Sequence, residues 1–119
     1  MAYPGQWACS RRGAVDRAIS VLEPALKKLP EDPIILNALA VAYGQKQRFA
    51  EALSLLSKAV KVNPDIPLSW INLGVCLEQK GDLRGAESVY ENAIRLQPDL
   101  DRARKYLQNL QRVLADSLN

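Results

Sequence analysis

The sequence predicts an all-α chain in which antiparallel helix pairs stack side by side into a solenoid. Three observations carry that expectation. Of the 119 residues, 48% are hydrophobic and 24% charged. Ala and Leu dominate the apolar set and β-branched residues are not clustered, which favours helix over sheet. The chain also repeats itself at an offset of 34 residues: "LNALAVAYGQKQR" (Leu36 to Arg48) and "WINLGVCLEQKGD" (Trp70 to Asp82) set apolar, small and polar residues in the same slots. A fixed period in this range marks stacked supersecondary units. Within each unit, apolar residues fall into two helical stripes parted by a turn.

The first element is partial. Gly13 falls on the turn slot, and Ala18, Leu22, Ala25 and Pro30 fall on second-helix slots. Ala14–Leu29 is therefore predicted to be a second helix, with its first helix due in the residues up to Arg12. That stretch is too short to hold all of it, and a short helix from Pro4 to Arg11 is predicted. Pro24 would remove one backbone bond and cost up to about 3 kcal/mol in a straight helix, so a kink near Ser20 is expected.

The next two elements are full helix pairs. Pro67 suits a first turn, and Asp65 lies ahead of it as a cap. Trp70, Leu73, Gly74 and Leu77 follow the amphipathic stripe, and Gly81 in "KGD" ends the helix by taking the left-handed backbone. A second helix carries Leu83, Ala86, Val89, Tyr90, Ala93, Ile94 and Leu96, and Pro98 stops it. The unit before it repeats this logic, with "KQR" as its turn and "NPD" as its stop. Small residues are expected to bring the paired helices within about 8–10 Å, Gly74 against Ala86 and Ala40 against Ala52. Ala59 and Ala93 would serve contact with the following unit. The last element, Asp101–Leu118, has one apolar stripe: Ala103, Tyr106, Leu107, Leu110, Val113 or Leu114, and Leu118. Gln108 stands where a further partner helix would need a small residue, so this reads as a capping helix.

This pattern resembles the tetratricopeptide repeat family, whose signature is W-x2-L-G-x2-Y, then A-x3-F, then A and P. Trp70, Leu73, Gly74, Ala86, Tyr90, Ala93 and Pro98 carry it in one unit. Leu36, Leu39, Ala40, Tyr43, Ala52, Leu56, Ala59 and Pro64 carry it in the other. The resemblance covers Pro33–Leu100. It implies a right-handed α-α superhelix in one domain, 1–119: a partial repeat at 1–32, repeats at 33–66 and 67–100, and a cap at 101–118.

The resemblance further implies a concave face lined by the first helix of each unit. Ile34, Asn37, Val41 and Gln45 would line it from one unit, and Leu68, Ile71, Asn72, Val75, Glu78 and Gln79 from the next. The cap would add Arg102, Lys105, Tyr106 and Asn109. Side-chain amides on such a surface can pair with the backbone of an extended peptide while aliphatics take its apolar side chains. Co-chaperones of the family grip a C-terminal tail with a Lys and Asn, an Asn, then a Lys and Arg. Here Asn72 matches the middle Asn and Arg102 replaces the later Lys, but Asn37, Val41 and Tyr106 fill the remaining slots. No tail clamp is expected. Asn72 is also similar to the inner asparagines of the repeat domain of the O-linked N-acetylglucosamine transferase.

Several function classes are disfavoured. The net charge of +3 is spread along helices, which argues against nucleic acid as partner. No apolar run reaches membrane-spanning length and no signal core opens the chain, so a cytoplasmic protein without a membrane partner is expected. Cys9 and Cys76 lack any metal spacing and read as reduced thiols. The chain has no histidine and no Gly-rich phosphate loop. Glu87 and Glu91 read as solvated, with Glu91 set to pair with Arg95. Neither catalysis, a metal nor a cofactor is expected. The reading is a protein-interaction module or adaptor scaffold that binds a peptide or helix of a partner protein. The alternative is a homodimer through the incomplete N-terminal end, where Ile19 and Leu22 would need cover.

Overall fold

The computed structural model describes residues 12–118. Its helices are α1 (Arg12–Lys28), α2 (Pro33–Gln45), α3 (Phe49–Val62), α4 (Pro67–Gln79), α5 (Leu83–Leu96) and α6 (Asp101–Leu118). Among the described residues there is no strand. Each helix packs on the next in the chain, and α2 also meets α4. That is the stacked, all-α superhelix expected from the repeat. The expected helix at Pro4–Arg11, together with Trp7 and Cys9, lies outside the described residues.

Local chemistry sets the helix ends. The Asp32 carboxylate accepts the Ile34 N–H at 2.9 Å ahead of α2, and Pro33 fills the first turn. Asp82 does the same for α5, accepting from Gly85 N at 3.0 Å. Asp65 does not cap α4 as expected. Its own N–H donates to the Asn63 side chain at 3.1 Å, and Ile66 takes the capping position without a side-chain bond. Both pairs turn through a left-handed residue, Gln47 at φ 62° and Gly81 at φ 90°. α1 continues through Pro24 for a further turn, to Lys28.

The core forms where small residues let helices close. Leu39, Ala40 and Tyr43 of α2 share a cluster with Ala52 and Leu56 of α3 and Leu73 and Cys76 of α4. Gly74 also makes room for a large side chain. A Cβ built on it would fall 2.7 Å from Cδ1 and 2.8 Å from Cζ of Tyr90, with Cε1 nearer still. The space that Gly74 leaves open is thus filled by the Tyr90 ring, one turn beyond Ala86. Tyr90 is fully buried with Ala86 and Leu110. Its ring stacks on Tyr106 of α6, with centroids 5.6 Å apart and planes 11° apart. Ala93 packs with Ala103 of α6 as the stack requires. On α6, Leu114 packs inward and Val113 is exposed, which resolves the choice left by the periodicity.

α1 also corrects an expectation. Ile19 is buried and Leu22 partly buried, packed together with Val15 and Leu26 against the α2 cluster. They need no second chain. Polar ties fasten the same contact: the Tyr43 hydroxyl donates to Glu23, and Lys46 pairs with Asp16 at 2.6 Å.

Candidate functional site

Helices α2 and α4 lie side by side because α3 and α5 pack behind them. The repeat period therefore places equivalent α2 and α4 residues on one surface. A groove of about 660 Å³ opens there, closed at one end by α6. Val41 and Gln45 line it from α2, Ile71, Asn72, Val75 and Gln79 from α4, and Arg102 and Tyr106 from α6. The chain brings these expected residues together from three separate helices.

Six expected residues stand outside that lining: Asn37, Leu68, Lys105 and Glu78, described below, and the exposed Ile34 and Asn109. Asn37 is only 6% exposed, and its amide donates to the buried Ser69 hydroxyl at 2.8 Å. It is a strut between α2 and α4, and its carbonyl oxygen lies 3.4 Å from the Asn72 amide nitrogen that donates to it. Ser69 compensates a polar group that the core would otherwise reject. Leu68 is 44% exposed, and Lys105 is exposed on α6, both outside the groove lining. Glu78 also turns away from an inner-face role, accepting the Tyr90 hydroxyl. Burial, and then this carboxylate, push the Tyr90 phenol well above its usual range.

Ile71 has two roles at once. It borders the groove yet is 3% exposed, packed with Ala93 and Ala103 where α4, α5 and α6 meet. Its side chain holds the groove floor together.

Gly44, Gln47, Phe49 and Cys76 also line the groove. Gly44 was legible, since it lies three residues beyond Val41 on the same helical face. Nothing lies within 4 Å of a Cβ built there, so its bare backbone widens the groove. Phe49 and Cys76 had no such signal, because the groove reaches down between helices to them. The Cys76 thiol donates to the Phe49 carbonyl oxygen at 3.3 Å, and burial raises its pKa.

The electrostatics are simple. Among the described residues lining the groove, Arg102 carries the only charge. Elsewhere, Arg95 donates to Asn92 and not to Glu91 as the spacing suggested. Among the described residues no helix is long and apolar enough to cross a membrane.

Solved structures share this architecture. The first TPR of Spaghetti (RPAP3), bound to HSP90 peptide SRMEEVD, is 25% identical with a TM-score of 0.82, over 90% of this chain and 85% of that one. The Sgt2 TPR domain from Aspergillus fumigatus is 25% identical with a TM-score of 0.84, over 92% of this chain and 74% of that one. The first TPR domain of human RPAP3 is 25% identical with a TM-score of 0.83, over 91% and 85%. No curated protein sequence matches the chain. The family profile described as tetratricopeptide repeat matches residues 10–58 and 37–101. With most of its length matched and the helix-pair stack in place, the chain belongs to the tetratricopeptide repeat family.

Proposed function

We propose that the chain is a protein-interaction module that holds an extended segment of a partner protein in the groove between α2, α4 and α6. The observation that carries this reading is the lining. Gln45, Asn72 and Gln79 present carboxamides beside the aliphatic Val41 and Val75. Carboxamides both donate and accept, so they can pair with a peptide backbone whatever its side chains, while the valines take apolar groups.

The segment held differs in chemistry from the tail peptide seen on Spaghetti (RPAP3). A clamp for two carboxylates needs converging cations. Here Asn37 is buried against Ser69, Val41 is aliphatic, and Tyr106 is stacked on Tyr90. Only Arg102 remains to offer charge. A peptide ending in Glu-Glu-Val-Asp is therefore expected not to bind in the micromolar range, and fluorescence anisotropy with that peptide checks it.

The test of the main reading is a pulldown with wild type beside the double variant Asn72→Ala/Gln79→Ala. Losing two amide contacts weakens capture by about tenfold or more. Circular dichroism should show an intact helical fold, since neither side chain is in the buried core. Ile71→Asp is unsuitable as a probe, because it would bury a charge among Ala93 and Ala103 and unfold the α4–α6 junction. Equal capture by wild type and the double variant would overturn the proposal.

A further inference from the structure

One apolar surface is left over once the stack and the groove are accounted for. On α1, the stripe Val15, Ile19, Leu22 and Leu26 packs on α2. A second stripe, Ala14, Ala18, Val21 and Ala25, runs beside it at the same three- and four-residue steps, and Leu29, whose N–H bonds the Ala25 carbonyl at 2.9 Å, extends it just past the helix end. Val21 is 66% exposed and Leu29 is 55% exposed. The alanines between them leave room for another helix to approach closely.

The charges beside the stripe say what kind of helix fits. Arg17 stands one turn before Val21, and Lys28 two turns after it, on the same flank. Both are exposed and neither is ion-paired among the described residues. The acidic side chains of α1 that bond across to α2, Asp16 and Glu23, are engaged with Lys46 and Tyr43. The chain's own first eleven residues contain no Asp or Glu and add Arg11. A second copy packed α1 against α1 in antiparallel fashion would set Arg17 and Lys28 against their own kind. Neither supplies the complementary charge.

We infer that the apolar stripe of α1 around Val21, which Leu29 extends just past the helix end, is a second docking surface, separate from the concave groove, for an amphipathic helix of a partner protein whose apolar face is flanked by acidic residues. The apolar stripe provides the buried area. Arg17 and Lys28 reject helices of like charge and speed the encounter with acidic ones.

The test uses the full chain and two labelled, designed helical peptides of about five turns. One carries a Leu/Ala stripe flanked by Glu, and its twin carries the same stripe flanked by Lys. Fluorescence anisotropy should show the Glu peptide binding at least about tenfold tighter than the Lys twin, and weakening as salt rises. Val21→Glu and Arg17→Glu should each reduce its binding about tenfold or more while leaving the helical circular dichroism unchanged. The Asn72→Ala/Gln79→Ala variant should bind it as wild type does, which keeps this result independent of the groove. Four outcomes would overturn the inference. One is equal binding of the two peptides, and another is no binding of the Glu peptide at about 1 mM. A third is a wild-type dimer in light scattering that Val21→Glu dissociates, which would give the stripe to a second copy. The fourth is a gain of about tenfold in peptide affinity on Trp7→Ala, which would give it to the chain's own first residues.

Discussion

The α2–α3 and α4–α5 pairs stand in the same slots of the stack, yet they fill the space between their helices differently. In α2–α3, Ala40 and Leu56 meet in one cluster. In α4–α5 the equivalent residues are Gly74 and Tyr90, and the ring occupies the volume a methyl would take. The ends differ as well. Asp32 caps α2 while α4 has no side-chain cap, and Asp82 caps α5 while α3 has none. At the head of α3, Arg48 instead binds Glu51 through two bonds of 2.6 Å and lies 4.4 Å from the Tyr43 ring centroid. The turns differ too, Gln47 in one and Gly81 in the other. The lesson is that the repeat holds a property of each helix pair, its summed volume and its count of caps. It does not hold a residue at each position.

The largest test of that comparison is a double-mutant cycle at Gly74 and Tyr90. Tyr90→Leu alone loses ring volume, the stack on Tyr106 and the bond to Glu78, and should cost about 2–4 kcal/mol. Gly74→Ala alone drives a methyl into the ring. The overpacking outweighs the gain in helix propensity, leaving a loss of about 1–2 kcal/mol. Together they recreate the Ala40–Leu56 combination, and the loss from Gly74→Ala should vanish or reverse. Urea unfolding of the four proteins measures the coupling, expected at about 1–3 kcal/mol. Additive losses would mean the two sites do not share space.

Capping comes next. Asp32→Ala and Asp82→Ala should each cost about 1 kcal/mol in the same assay, since each strands a helix-end N–H. The turns should show a smaller and opposite asymmetry. Gln47→Gly relieves a left-handed side chain and should stabilise by about 0.5–1 kcal/mol, whereas Gly81→Gln should destabilise by about 1 kcal/mol.

The smallest effect is alkaline. Burial first, then the hydrogen bond to Glu23, push the Tyr43 hydroxyl up to about 12. The folded chain then holds a proton that the unfolded chain releases near pH 10. Its share of stability is complete below about pH 10 and is lost as pH rises towards about 12. The equivalent residue in the other pair, Leu77, does not titrate. Tyr43→Phe should therefore flatten the fall of the melting temperature across that window, and Tyr90, raised in the same direction, should leave a residual slope.

Much of the fold was legible because stacking leaves a periodic record. Small residues at fixed offsets, proline stops and apolar stripes located α2 to α6 within a residue or two. What escaped were properties of pairs. The smallness of Gly74 beside Ala86 was legible, but not that the same glycine is a socket for the Tyr90 ring. Asn37 sat on the inner-face spacing, yet Ser69, also polar and pointing inward, drew it into the core. Asp65 was spaced to cap α4, but Asn63 engaged its backbone first. The groove lining along each helix followed from the family resemblance, which supplied Val41, Gln45, Asn72 and Gln79, while Phe49 and Cys76, reached only between helices, did not.

The central claim is that partners are held on the α2–α4–α6 surface, and an amide-resolved NMR titration tests it most directly. Adding the peptide segment recovered by pulldown should shift the signals of Val41, Gln45, Asn72, Val75, Gln79 and Arg102, with the side-chain amides of Asn72 and Gln79 among the largest changes. Shifts confined to the outer faces of α3 and α5, with the groove signals unmoved, would contradict the account.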